Sequence, residues 1–548
     1  MALSALVCCS KPTTPTTTTP TTTTTPSRLT FGITSEPSSL CPLFSDGGAT
    51  AEVQGLLFRE LVRSTAQGIE PDLAEFVPAL GSGAVVAADG TLTVSWTLKA
   101  DAFWQDGTPV TAADVVAGWK VAVDVTQQVT TGGTLAKDIE GIFVVDARHF
   151  RVVWKTQQPS FADVRVHRVL PAHVVLNADG SAKNLGRDGF CRRPIGNAAF
   201  RLLEWMPGAH LLFARNEHFQ PRPRLDEVLL KIVPSTDALQ SALLAGDIDA
   251  TFGNGGLAPT EALRVANTGG LQTLRAPGST WVHLDFRLDD PWLSDLRLRR
   301  ALALGIDRKA LVQAVGGDAY DVDDSFFPRQ HWARVATPAI AFDPTQSARL
   351  LDAAGWMLKP GSEIRVNAAG QPLHLELAAA SGQKDSELLL QMMKASWLSI
   401  GVDVALDLKP FKIFFGENAK KRKLKHLSFY SWVVDDSSIG SALWRSDRIP
   451  SAANGFTGQN LPGWKNDEVT RLLIEADGTL DIAARKLKLA RVQQLFVDDL
   501  PALSFYFRQT VVVARPGVTG LSPTGTATPL AWNAALWDIA PDQKDATH

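Results

Sequence analysis

Between Thr91 and Trp119 the chain encodes a strand, a turn and a helix in immediate succession. In Thr91–Lys99 apolar and polar residues alternate, so Leu92, Val94, Trp96 and Leu98 share one face, the period of a half-buried strand. Gln105-Asp106-Gly107-Thr108-Pro109 supplies turn chemistry. Thr111 followed by Asp114 has the spacing of a capping box and opens a helix running through Trp119. A strand that must bury one face, followed at once by a helix, requires helix layered on sheet.

The same interleaving continues along the chain. Helices are expected at 236–245, 293–304, 344–354, 384–399, 466–476 and 482–498. The helix at 344–354 is well punctuated, with Asp343 as N-cap, Pro344 in the first turn and Gly355 at the C-terminal end. Strands are expected at 29–33, 151–155, 200–204, 210–214, 227–233, 281–286, 373–379, 403–408, 427–431 and 503–513. Irregular alternation of this kind predicts an α/β protein of mixed sheets, and no internal repeat is visible. With 548 residues, the chain exceeds what one core can hold, so two to four structural units are expected.

Charge and composition exclude some functions. The net charge of −3 gives no basic excess for nucleic acid. The run Lys420-Lys421-Arg422-Lys423-Leu424-Lys425 is expected to be a solvated surface segment. No apolar stretch reaches the length of a membrane span. The motifs G-x-S-x-G, H-E-x-x-H and the P-loop are absent, so nothing supports an enzyme such as a carboxylate hydrolase. No two of the ten histidines are spaced for a metal, and no cofactor is expected.

The amino-terminal segment cannot pack. MALSALV reads as the end of an apolar signal region that lacks its basic start, as if the true start site lay upstream. Leu6-Val7-Cys8-Cys9 resembles a bacterial lipobox, in a register that makes Cys9 the lipidated residue. Ser10 to Ser27 is almost entirely Thr and Pro, and in an extended form reaches ~55 Å. A lipid tether explains cysteines and tail together; a tail without a role and a glycosylated stalk are the alternatives.

Six segments, in order along the chain, resemble one family. Trp96–Trp119 is similar to the signature of the family 5 extracellular solute-binding proteins, the peptide, nickel and opine receptors of ABC importers. Arg193–Trp205, Ala245–Ala250, Asp295–Arg308, Phe342–Trp356 and Ser431–Asp436 resemble further family segments. The resemblance implies a two-lobed, periplasmic-binding-protein-like (Venus-flytrap) α/β fold with a hinge and an inserted subdomain. Residues 1–9 would be the truncated lipoprotein signal and 10–27 a disordered linker. Lobe I would comprise 28–67, 190–275 and 506–548, with 68–189 inserted, and lobe II would span 276–505. Departures from the family pattern include Gly196-Asn-Ala-Ala-Phe200, Asp436, and Cys41 in place of an early Asp.

In the family, the aspartate of Trp-x-x-Asp pairs with a ligand ammonium, which assigns that role to Asp435, with capping of a following helix as the alternative. Trp432 takes the place of an aromatic pocket wall, with a core tryptophan as the alternative. Ser431 and Val433 would offer backbone groups to an extended ligand. Gly48 and Ala49, placed before the first helix, would form the facing edge of lobe I, and Thr131 would reach in from the inserted subdomain. Cys41 and Cys191 both fall in lobe I, and in an exported protein they are expected to pair, free thiols being the alternative. The implied protein is a monomeric, lipid-anchored receptor in the periplasm or at the cell surface. Its partners would be a small-molecule or peptide ligand and ABC permease subunits, with no nucleic acid. A surface sensor using the same cleft, or an importer for a non-peptide ligand, is the alternative function.

Overall fold

The computed structural model describes residues 26–540, apart from 45–47, 128, 130–135, 163–166, 187–188, 254–255, 318–319, 412, 435–436 and 438. Strands run in the order β1 (Arg28–Ile33), β2 (Val62–Thr65), β3 (Gly68–Pro71), β4 (Ala79–Leu80), β5 (Gly83–Val86), β6 (Leu92–Thr97), β7 (Ile139–Val144) and β8 (His149–Trp154). They continue with β9 (Phe200–Met206), β10 (His210–Arg215), β11 (Glu227–Ile232), β12 (Ala250–Thr251), β13 (Gln272–Phe286), β14 (His374–Ala380), β15 (Asp403–Lys409), β16 (Leu427–Val433) and β17 (Ala502–Ala514).

The strand, turn and helix of the opening segment lie in a five-stranded sheet of order β4-β5-β6-β8-β7 and the helix packed on it. Leu92, Val94, Trp96 and Leu98 are all buried on one face. The helix Ala112–Val123 starts at Thr111 with the expected capping box. Asp114 does more than cap. Its carboxylate accepts from Thr111 N at 2.7 Å, from Trp104 Nε1 at 3.1 Å and from Ala172 N at 2.7 Å. The last bond ties the helix start to a segment about sixty residues downstream in the same core. Burial pushes the Asp114 carboxyl up, against the pull of these hydrogen bonds.

A ten-stranded mixed sheet of order β15-β14-β16-β13-β17-β12-β1-β11-β10-β9 forms the body of the molecule. One hydrophobic core gathers β1, β9–β12, the five-stranded sheet and the C-terminal stretch up to Ile539. Two further cores lie on β13, β16 and the first half of β17, one holding Leu298, Leu389 and Trp397, the other Trp444, Leu473 and Phe496. The halves are joined through β13 and β17. The first half of β13 pairs with 510–514, where β17 also meets β12. Its second half pairs with 502–508 and, on its other edge, with β16. The register shifts between Ala276 and Thr280, at Pro277-Gly278-Ser279.

Local signals act as read. Asp343 Oδ1 accepts from Gln346 N at 2.8 Å, and Gly355 adopts φ +87° just past the helix Pro344–Ala353. The helix Gly48–Leu57 buries Val53, Leu56 and Leu57, and its Glu52 Oε2 accepts from Leu530 N at 2.6 Å. Cys41 and Cys191 are joined by a disulfide, with Cα atoms 4.8 Å apart.

Candidate functional site

The site is built where β13 and β17 pass from one half of the molecule to the other. β16 enters it beside β13, with Trp432 opposite Trp281 and Val433 opposite Thr280, and Val434 N donates to Ser279 O at 2.8 Å. Pairing of β16 with β14 stops at Phe429, so Ser431–Val433 continue with a strand partner on the β13 side. Val433 is 60% exposed, whereas Ser431 and Trp432 are half-buried. Trp432 packs both against the core of Trp281 and Trp444 and against the small cluster of Phe414 and Tyr430. It is therefore part core and part open surface. Phe415 lies in the same cluster, with its ring 4.7 Å from that of exposed Phe411. These phenylalanines extend the aromatic cluster beside Trp432 and carry no motif that announces them.

Beneath Trp432, the sheet buries polar groups. Trp281 stacks on His283 at 3.7 Å between ring centroids and donates from Nε1 to Ser504 Oγ at 2.8 Å. Tyr430 Oη donates to Asp285 Oδ2 at 2.5 Å, and Asp285 Oδ1 lies 3.4 Å from His283 Nε2. Burial pushes Asp285 up to about 7 and His283 down to about 3, and raises the Tyr430 phenol well above its ordinary value. Both shifts in the His283–Asp285 contact favour neutral forms, so it is not an ion pair at neutral pH.

An open hollow of about 250 Å³ lies over the crossing, lined by Arg275, Gly278, Asp321, Arg329, Gln330 and Gln509 among others. Gly278 is required by close approach: a Cβ there would sit 1.4 Å from Arg508 O. Arg329 pairs with Asp321 at 3.0 Å and approaches Asp323 at 3.7 Å, and Arg334 holds Asp323 at 2.9 Å. Three separate stretches, 275–278, 321–330 and 507–509, build this wall, so sequence reading did not find it.

Gly48 and Ala49 do not precede the first helix: they are its first two residues. Their carbonyls are committed to the helix, so they do not present a strand-like edge; the burial of Val53 and Leu56 and the Glu52–Leu530 bond pull the helix start back to Gly48. Asp435, Thr131 and Cys9 lie outside the described residues, as does most of the Thr/Pro segment. Among the described residues, no group of three or more His, Cys, Asp or Glu side chains is placed to hold a metal ion. No described helix is long and apolar enough to cross a membrane.

The profile of the bacterial extracellular solute-binding proteins, family 5 (middle), matches residues 69–448. The chain is 22% identical over 497 residues to the oligopeptide-binding protein AppA of Bacillus subtilis (strain 168), covering 87% of this chain and 86% of that one. It is 25% identical over 356 residues to the nickel-binding periplasmic protein of Escherichia coli (strain K12), covering 64% and 66%. Its fold is similar to the crystal structure of the oligopeptide-binding protein of Thermus thermophilus complexed with pentapeptide. That comparison has a TM-score of 0.70 and 23% identity and covers 95% of this chain and 97% of that one.

Proposed function

This chain belongs to the bacterial extracellular solute-binding proteins of family 5, and on that premise we propose that it is the substrate-binding component of an ABC importer. It takes a peptide-like solute at the crossing of β13 and β17 and hands it to a membrane permease. The observation that carries this reading is the crossing itself. Two sets of cores are joined by two long strands with a broken register, beside an open hollow and a strand segment paired on its β13 side. An extended ligand can add to such a strand through backbone hydrogen bonds. Closure follows when the ligand binds the closed state more tightly than the open one. Relatives named for oligopeptides support a peptide over other solutes. The family is one of binding proteins, and no catalytic role is proposed.

Within this reading, Asp435 pairs with the ligand's ammonium, Trp432 walls the pocket, and Ser431 and Val433 contribute backbone groups. Thr131 reaches in from the inserted subdomain. Lobe I comprises 28–67, 190–275 and the end of the chain from 506, with 68–189 inserted, and lobe II spans 276–505. The continuous core of β1 with the five-stranded sheet supports grouping the insertion with lobe I. Cys9 carries a lipid, and the protein works as an exported monomer on a bacterial membrane.

Native mass spectrometry of gently purified protein tests the reading. A co-purified peptide, lost on Asp435→Ala substitution, is the expected result. Unchanged affinity in that variant removes Asp435 from the site, and failure of all peptides to bind removes the peptide reading.

A further inference from the structure

The hollow over the crossing has one charge too many. Asp321 and Asp323 are matched by Arg329 and Arg334. The side chain of Arg275, an exposed residue of β13, makes neither hydrogen bond nor ion pair with any described residue, yet lines the same hollow. The side chain projects from the sheet face that also carries Gln509, since Arg275 pairs with Val511 and strand residues alternate.

Two acceptors in that wall also lack partners. Gln330 Nε2 donates to Gly278 O at 3.4 Å, and this fixes which end of its amide is the oxygen. That oxygen and Gln509 Oε1 are both buried without a hydrogen-bond partner. A buried acceptor without a donor is costly, and both residues line the hollow. A ligand donor arriving there relieves the cost. The wall thus offers one free guanidinium fork and two amide oxygens in want of N–H donors.

We propose that this hollow binds the carboxylate end of the ligand, with the carboxylate on Arg275 and the adjacent amide N–H on Gln330 and Gln509. A guanidinium matches a carboxylate through two parallel hydrogen bonds, and a peptide's last N–H lies beside its carboxylate, so one residue of ligand meets both features. This rests on the reading of the chain as a solute receptor but assigns a different group from the ammonium partner. The ligand class it selects is one with a free carboxyl terminus, so amidated or esterified counterparts are refused.

The test uses N-acetylglycine, which carries one carboxylate and one amide N–H, alongside its methyl ester, N-acetylglycine amide, inorganic phosphate and a pool of random tripeptides. Binding to the full chain is measured by thermal shift and by titration calorimetry. The expected result is binding of N-acetylglycine and not of ester or amide, with affinity falling about tenfold to a hundredfold in Arg275→Gln. Arg275→Lys keeps charge without the fork and restores part of the loss, and Gln509→Leu weakens N-acetylglycine while leaving the unligated unfolding temperature close to the parent's. Equal binding of acid and ester, unchanged affinity in Arg275→Gln, phosphate binding as well as the acid, or no binding of N-acetylglycine each overturns the assignment. Binding of N-acetylglycine with rejection of all tripeptides keeps the site and refutes the peptide reading instead.

Discussion

Removing the Cys41–Cys191 bridge tests how the first core is held together. The perturbation is the double variant Cys41→Ala/Cys191→Ala. The bridge spans a sequence separation of 150. For a loop of that length the chain-entropy relation gives ~5 kcal/mol of stabilisation at 25 °C, and natural bridges deliver roughly 2–5 kcal/mol. The folded state has little to lose locally. Leu40 N donates to Cys191 O at 3.1 Å and Gln54 Nε2 donates to Cys41 O at 2.8 Å, and both bonds survive the substitution. Cys41 is only 1% exposed, in apolar surroundings that accept alanine. The cost therefore falls on the unfolded chain, which gains the freedom of the opened loop. Guanidinium unfolding should show a loss of a few kcal/mol and a steeper denaturant dependence, because the opened chain exposes more surface. Ligand affinity should not change. A loss below about 1 kcal/mol with an unchanged slope refutes the reasoning, since the loop would then be restrained in the unfolded chain by something other than sulfur.

Other outcomes follow from the same geometry. Gly278→Ala places a methyl 1.4 Å from Arg508 O, so β13 and β17 must part at the crossing. A loss of ~1–3 kcal/mol is expected in chemical denaturation, together with altered ligand affinity, and neutral behaviour on both counts would contradict the described approach. Asp285 titrates at about 7 when folded against an ordinary 3.8, so the folded chain keeps a proton that the unfolded chain releases. Its contribution to stability falls as pH rises through roughly 4 to 7. His283, at about 3 against 6.5, acts in reverse: the unfolded chain takes up the proton, and its contribution rises with pH between roughly 3 and 6.5. Asp285→Asn removes the first effect, so urea midpoints of the variant should gain on the parent's as pH rises from about 4 to 7; parallel curves would dismiss the assignment. Asp343→Ala strips the cap from the helix Pro344–Ala353 and should cost about 1 kcal/mol in thermal unfolding, with no change in ligand binding.

Elements with strong local signals were legible in the sequence. The strand β6 alternates, the helix at 344 has its cap, its proline and its glycine, and the helices 236–245 and 384–399 follow their apolar spacing. Other elements form because of what they touch. The helix Gly48–Leu57 carries two glycines, a threonine and a valine in ten residues, and it packs against Pro529 and Leu530 from the far end of the chain. β13 was readable at 281–286 alone, since Pro277-Gly278 reads as a break. Long-range pairing with β17 carries the strand across it to Gln272. Arg422 shows the same limit at the surface. In a run read as solvated, its guanidinium bonds Asp289 at 2.9 Å and Leu461 O at 3.1 Å. The site divides in the same way. Trp432 and its neighbours sit in a contiguous motif, whereas Arg275, Gln330 and Gln509 meet only after folding and carry no signature of their own.

The central position of β17 has a consequence for synthesis. This strand starts at Ala502, and the ten-stranded sheet is divided in two without it. The first core likewise takes in Val512, Leu530 and Trp537, close to the carboxyl terminus. A ribosome releasing this chain therefore delivers neither half in finished form until the strand Ala502–Ala514 has emerged. Folding that waits on such distant pairings is slow, and a slow, late closure keeps the emerging polypeptide threadable for as long as it is being made.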